Sequence, residues 1–340
     1  MKNKILQVGV IGAGRIGKIH ARSLAFLIPE AQAAAIADVD EAAARKTAEE
    51  LRIPKALRDY REILADRQIQ AVVICAPTPM HSALIEEAAA AGKHIFCEKP
   101  VDFDLARIDA ALAAVKKAGV KLQIGFNRRF DANFARVRKA VAEGEIGEPQ
   151  LLHIVSRDPG PPPLSYVQAS GGIFMDMTIH DFDMARFLIG AEVQEVYTQA
   201  AVTVDPAIGQ AGDLDTAVVL LRFAGGVIGT IDNCRQAVYG YDQRVEVLGK
   251  KGAAASQNNY PNSVVFSGDK AIQRDLPLNF FLERYADSFV TEMRLFVEAV
   301  LNDKQTPVGG LDGRHPVVMA RAARKSHDEH RPVRLAEVER

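Results

Sequence analysis

The sequence predicts an α/β protein: a doubly wound parallel sheet at the N-terminus, then an α+β domain whose largely antiparallel sheet is open on one face. Three observations predict it. Short apolar runs alternate with helical patterns through residues 1–124, the rhythm of a parallel sheet with crossover helices. Gly12-Ala13-Gly14-Arg15-Ile16-Gly17 falls between the first apolar run and the first helix. After Phe126 the texture changes and strands dominate, so residues 125–340 are expected to form a second domain.

Ile5–Ile11 is nearly continuously apolar, as a strand buried on both faces must be. A helix is expected from Ile16 to Leu27, then a small-residue strand at Ala33–Ala37. Asp40 can cap a helix running through Leu51. Ala71–Ala76 is another buried run, stopped by Pro77-Thr78-Pro79. His81–Ala91 reads as a helix ending at Gly92, and His94–Cys97 as a strand ending at Glu98-Lys99-Pro100. Leu105–Ala118 is a helix closed by Gly119, and Lys121–Gly125 a further strand. In the second domain a helix over Ala132–Glu143 precedes strands at Leu151–Arg157, Val193–Val204, Ala217–Phe223, Val227–Asn233 and Val245–Leu248. Near the end Phe289, Met293, Phe296, Val297, Val300 and Leu301 fall on one helical stripe, which predicts packing against a sheet or a subunit.

Composition excludes several function classes. A length of 340 residues fits two domains, at roughly 150 residues each. With 48% hydrophobic and 25% charged residues the chain is of ordinary globular type, and its net charge of −1 supplies no field for nucleic acid or an anionic membrane. Cys75, Cys97 and Cys234 are too few and too scattered for a disulfide framework or a zinc site. No metal is expected, and a reduced, cytoplasmic setting. Lys2 and Lys4 precede an apolar run, but Gly12, Gly14 and Arg15 interrupt it, so it reads as strand and turn rather than a leader. No stretch approaches the ~20 apolar residues of a membrane span.

The glycine motif has the context of a dinucleotide-binding Rossmann fold. Gly12 permits the tight turn, Gly14 lets the backbone approach a pyrophosphate, and Gly17 allows close helix–strand packing. Together with Arg15 and Ile16 they open a helix whose amides and dipole favour phosphate. Asp38 lies 21 positions after Gly17, where an acidic residue accepts hydrogen bonds from the adenosine ribose. Its charge, with Asp40 nearby, would repel a 2′-phosphate, so NAD is favoured over NADP. Ala76 and Thr78 follow a strand at its carboxyl end and are expected to meet the nicotinamide half. His81 is expected to cap its helix.

Four motifs appear in order: the glycine fingerprint, Glu98-Lys99-Pro100, Gly125-Phe126-Asn127-Arg128-Arg129-Phe130-Asp131 and Asp176-Met177-Thr178-Ile179-His180-Asp181. Together they resemble the glucose–fructose oxidoreductase / inositol dehydrogenase / MocA family over essentially the whole chain. Phe96-Cys97, Arg128-Arg129, Asn233-Cys234 and Tyr239-Gly240-Tyr241-Asp242 are most similar to the bacterial inositol 2-dehydrogenases. The resemblance implies NAD-dependent oxidation of a secondary hydroxyl of a cyclic polyol, myo-inositol to its 2-keto form, by a homotetramer with its open sheet face between subunits.

It also implies residue roles. His180 would be the base, with Asp176 supporting it or binding substrate. The spacing of four places both on one face if a single helix carries them. Lys99 would touch both the hydroxyl and the nicotinamide end, stabilising the developing alkoxide; an ion pair with Glu98, itself grouped with the cofactor residues, is the plainer alternative. A cis Lys99–Pro100 bond would aim Lys99 into the cleft. Arg128 matches a substrate contact, although either arginine could serve as a structural ion-pair partner. Tyr239 and Tyr241 could bind polyol or simply pack. Ser156 stands where several inositol enzymes carry histidine, and Pro159–Pro163 forms an unusual stiff loop; both leave the polyol's identity open. Two other sugar-related readings compete: a dehydrogenase of an aldose or anhydrosugar, and an NAD-dependent glycosidase. A non-catalytic NAD sensor is the reading from another class.

Overall fold

The computed structural model describes residues 5–339; Lys2 and Lys4, weighed above as a leader, lie outside the described residues. The chain forms two compact units. The first comprises the described residues up to Phe130 together with Asp287–His315, and the second Asp131–Ala286 together with the described residues from Pro316 onward.

The first unit is built on six strands: β1 (Leu6–Ile11), β2 (Ala31–Ala37), β3 (Lys55–Leu57), β4 (Ala71–Ile74), β5 (His94–Glu98) and β6 (Leu122–Gly125). They lie in the order β3-β2-β1-β4-β5-β6, with every pairing parallel. Every residue of β4 is buried, as its uniformly apolar sequence requires in a sheet covered on both faces. Strand order reverses between β1 and β4, and ligands of open α/β sheets bind beyond the carboxyl ends at such a switch point. The glycine fingerprint, the Thr78 turn and Lys99 follow the carboxyl ends of β1, β4 and β5.

The helices agree closely with expectation. The first is α-helical over Arg15–Arg22 and continues as a π-helical turn, Ser23–Leu27. Asp40 caps Glu41–Leu51, accepting from Ala42 N at 3.1 Å and Ala43 N at 3.2 Å. Leu105–Ala118 ends at Gly119, whose φ of 68° is the left-handed cap. Strand β3 and the helix Arg61–Ala65 were not expected, being too short for periodicity to register.

The boundary at residues 124/125 differs from the structure. The amphipathic helix Ala286–Leu301 buries Met293, Phe296 and Val297 in one cluster with Leu6, Val8, Val10 and Phe96 of the parallel sheet. Its apolar stripe therefore completes the core of the first unit, although the chain reaches it only after the second.

The second unit holds β7 (Pro149–Arg157), β8 (Val193–Ala201), β9 (Thr216–Phe223), β10 (Ile228–Cys234), β11 (Asp242–Gly249), β12 (Gly252–Ser256) and β15 (Val333–Arg334) in one sheet. A separate hairpin pairs β13 (Val265–Ser267) with β14 (Ile272–Arg274). In the large sheet, order β12-β11-β7-β10-β9-β8-β15, the β7–β10 pairing is parallel and the other neighbours are antiparallel. Along β9, Ala217, Val219, Leu221 and Phe223 are buried while Val218 and Leu220 are exposed. Leu151, Ile228 and Leu248 pair in register and are also exposed. One face is thus covered, in part by the helix Thr178–Ile189, and the other is open and mixes these apolar side chains with polar ones such as His153, Arg222 and Glu246. The last long helix, Gly310–Glu329, was not read from the sequence because Gly313 and Pro316 interrupt the apolar pattern.

Candidate active site

The glycine fingerprint folds as its composition demands. Gly12 has φ of +105°, and a Cβ there would lie 2.5 Å from Cys75 O. A Cβ at Gly17 would lie 1.9 Å from Gly12 O, so the helix approaches the loop more closely than any side chain permits. Gly14, by contrast, is exposed and faces nothing within 4 Å. No side chain caps the helix that starts at Arg15, which leaves its first amides for a ligand. These features fit a dinucleotide pyrophosphate. Asp38 follows β2 and accepts from Ala13 N at 2.7 Å and from Asp40 N at 2.9 Å. It ties the loop to the neighbouring strand, and a carboxylate with about four acceptor sites has capacity left for ribose hydroxyls.

At the ends of β4 and β5 the structure corrects one expectation. His81 is buried and does not cap its helix, which starts at His81 itself. Its Nδ1 stands 2.8 Å from Pro100 O and its Nε2 2.7 Å from Ala76 O, so one imidazole links the Ala76–Thr78 turn to the residue after Lys99. Burial lowers its pKa. The Lys99–Pro100 bond is cis, as the resemblance implies. Lys99 is half-buried, and Glu98 accepts a 2.7 Å hydrogen bond from His20 Nε2. Arg128 is buried in the short turn Asn127–Phe130. Arg129 pairs with Asp312 at 2.9 Å, the structural role foreseen for one of the two arginines.

In the second unit Asp176 and His180 do not share a single helix. Asp176 ends Gly172–Asp176, Met177 turns the chain, and His180 lies in the first turn of Thr178–Ile189. Both side chains are half-buried. Asp176 Oδ1 accepts from Tyr166 OH at 2.8 Å, and its Oδ2 lies 3.3 Å from Arg235 Nη1. Arg235 is buried and also stands 3.7 Å from Asp213 and 4.0 Å from Asp158. Burial, then the charge of Asp176, raise the Tyr166 pKa, so this hydroxyl remains a donor. The turn carrying His180 is anchored on both sides. Thr178 Oγ1 donates to Asn233 Oδ1 at 2.6 Å, and Asn233 Nδ2 donates to Asp181 Oδ2 at 2.8 Å.

Tyr239 OH donates to Asp242 at 2.6 Å and accepts from Arg157 at 3.1 Å, so its hydroxyl is committed within the unit. Tyr241 is buried, packing edge-on against Tyr285 with ring centroids 6.0 Å apart. Ser156 is fully buried and donates to Gln243 Oε1 at 3.1 Å. Sequence reasoning missed Tyr166, Arg235, His20 and Glu292. The nearest signal was Arg235, which directly follows the quoted Asn233-Cys234.

The oxidoreductase family model with an NAD-binding Rossmann fold matches residues 6–126, and the GFO/IDH/MocA C-terminal domain model matches residues 134–255. A myo-inositol 2-dehydrogenase of Thermotoga maritima is 49% identical over 98% of this chain and 99% of its own length. The chain belongs to the GFO/IDH/MocA family. Its first unit is accordingly an NAD-binding Rossmann fold, and the protein is an oxidoreductase. An inositol 2-dehydrogenase of Rhizobium meliloti is 45% identical over 97% of this chain and 99% of its own length. The solved structure of a scyllo-inositol dehydrogenase from Lactobacillus casei, with bound NAD(H) and scyllo-inositol, matches this fold with a TM-score of 0.92. It is 31% identical and covers 98% of this chain and 100% of its own.

Proposed function

We propose that the protein oxidises a secondary hydroxyl of a cyclic polyol, myo-inositol to its 2-keto form, with NAD as oxidant. The observation that carries this reading is the segment Asp176–Asp181. It presents a carboxylate and an imidazole four residues apart, each half-buried and each flanked by fixed partners. The choice of inositol is supported by the relatives at 45% and 49% identity.

Gly12, Gly14, Arg15, Ile16 and Gly17 hold the pyrophosphate through backbone amides, and Asp38 holds the adenosine ribose. Ala76, Thr78, Glu98 and Lys99 line the nicotinamide end. NAD, when bound, supplies the hydride acceptor. His180 takes the hydroxyl proton while the carbinol C–H bond gives up its hydride, leaving a ketone. Asp176 orients the imidazole and the polyol. The Lys99 ammonium lowers the hydroxyl's pKa and stabilises the developing oxyanion. Arg128 and Tyr239 complete the polyol contacts, Tyr239 through its ring.

The test is NADH formation by the purified protein across a panel of inositols, aldoses and glycosides. Turnover with myo-inositol supports the reading. Turnover confined to an aldose would replace it with a sugar dehydrogenase, and glycoside hydrolysis without net NADH with a glycosidase.

The same reading makes the protein a homotetramer of the cytoplasm. The exposed apolar side chains of Leu151, Val218, Leu220, Ile228 and Leu248 on the open sheet face support association, and three free cysteines suit a reducing compartment. Light scattering on the eluting protein distinguishes tetramer from monomer.

A further inference from the structure

Behind the Glu-Lys-Pro motif two buried side chains, His20 and Glu292, play no part in the proposed chemistry. His20, on the helix opened by the glycine fingerprint, is fully buried. Its Nε2 lies 2.7 Å from Glu98 Oε1 and 4.0 Å from Glu292 Oε1. Since a carboxylate only accepts, Nε2 is the donor to Glu98. The ring packs edge-on against Phe96 at 4.9 Å and Phe289 at 5.9 Å, so its surroundings are otherwise apolar. Glu292 is fully buried, and among the described residues neither of its carboxyl oxygens, nor His20 Nδ1, has a hydrogen-bond partner.

These three groups could suggest a cation site, since their ligand atoms all lie within 4.8 Å of one another. The geometry opposes it. Ligands about 2.1 Å from a tetrahedral metal stand roughly 3.4 Å apart, whereas Nε2 and Oε1 are separated by 2.7 Å, a hydrogen-bond distance. Two ionised carboxylates in an apolar pocket are costly, and burial with the nearby Glu98 charge raises the Glu292 pKa well above that of a free carboxyl. His20 is the side chain that hydrogen-bonds the Glu98 carboxylate.

On the neighbouring strand Glu98 faces a glycine. It pairs in register with Gly125 of β6, and a Cβ at Gly125 would lie 3.0 Å from its carboxyl carbon and both its oxygens. The carboxylate therefore occupies the space that a side chain at position 125 would enter. Glu98 is the last residue of β5 and Lys99 the next in the chain. Holding the Glu98 side chain holds the backbone from which Lys99 projects.

We propose that His20 is a positioning residue: through its hydrogen bond to Glu98 it registers the strand end bearing Lys99 against the helix bearing the glycine fingerprint. The inference rests on the reading that Lys99 acts in hydride transfer.

Four full-length variants, His20→Ala, His20→Gln, His20→Asn and Lys99→Ala, test it through kcat, NAD Kd and Tm. Gln can place its amide nitrogen where Nε2 stood, whereas Asn is too short. The expected result for His20→Ala is a kcat loss of about tenfold or more with NAD Kd within about threefold of the parent, the split a positioning role requires. His20→Gln should recover most of that loss and His20→Asn little of it, at similar Tm. If His20→Ala does not fold, the Gln–Asn contrast decides alone. Normal kcat in His20→Ala or His20→Asn, with Lys99→Ala inactive, would overturn the inference and leave the function standing. Gln and Asn impaired equally and in step with Tm would reduce His20 to packing, which also overturns it. Stoichiometric metal in the purified protein, with activity lost on chelation, would replace it with a cation site. Normal turnover in Lys99→Ala would remove the reading of Lys99 and this inference with it.

Discussion

Tyr166 donates a 2.8 Å hydrogen bond to Asp176, the carboxylate four residues before His180. Tyr166 stands on the short helix Leu164–Ala169, directly after the proline-rich segment Pro159–Pro163. The stiff loop thus has a local consequence: it delivers a hydroxyl to Asp176. Arg235 grips the other carboxylate oxygen from within the core. Tyr166→Phe should therefore cost about 1 kcal/mol, a fivefold to tenfold loss in kcat/KM for the polyol, with NAD Kd unchanged. Steady-state kinetics check it. An unaltered kcat/KM would mean that the Tyr166 hydroxyl does not position Asp176 for catalysis.

Lys99→Ala and His180→Ala should each lower turnover by ~10²–10⁴, the range for a lost electrostatic or acid–base group. Both side chains are half-buried rather than core, so both variants should retain the parent Tm within a few degrees. Stopped-flow turnover beside a melting curve separates lost chemistry from lost folding. Near-normal turnover in His180→Ala would refute its role as base.

Asp38→Ser should loosen NAD by about tenfold and admit some NADP, because the acceptor for the ribose and the charge that repels a 2′-phosphate go together. Asp38 also receives the Ala13 amide, so its loss frees the glycine loop as well. Titration calorimetry with both cofactors measures the effect, and unchanged NAD affinity would contradict the assignment.

Glu292→Gln should change how stability depends on pH. The pKa of Glu292 is raised by burial and by Glu98; His20 Nε2 lies 4.0 Å from its carboxyl oxygen, and the Glu292 charge helps to raise the Cys75 thiol. A carboxyl whose folded pKa exceeds its unfolded value stabilises fully below the unfolded pKa, near 4.5, and loses that contribution as pH rises towards the folded one. Glutamine does not titrate. The stability of the variant minus that of the parent should therefore grow from pH 5 to 8, by at most about 1.4 kcal/mol per pH unit. Urea denaturation at several pH values reads this difference, and a constant difference would mean that Glu292 is ionised in the folded protein.

Most of the fold was legible because parallel strands and amphipathic helices carry their own periodicity. The run Ala71–Ile74 could only be a doubly covered strand, and Leu105–Ala118 ended where Gly119 said it should. The helix Ala286–Leu301 was equally visible, but an apolar stripe states that a face is buried, not against what. Its docking on β1 and β5 depends on the path of the whole chain. The site divides the same way. Lys99, Asp176 and His180 announce themselves by motif, whereas Tyr166, Arg235 and His20 act through approaches across 10, 59 and 78 positions of sequence. A buried arginine or histidine carries no local mark of its partner.

Hydride transfer from a polyol carbon to NAD is the centre of this account, and one labelling experiment tests it most directly. Myo-inositol carrying deuterium at C2 is incubated with NAD and the purified protein, and the NADH and cyclitol products are analysed by mass spectrometry. Direct hydride transfer gives NADH that carries the deuterium, together with one equivalent of the 2-keto inositol. Unlabelled NADH, or no NADH beside unchanged inositol, would contradict it.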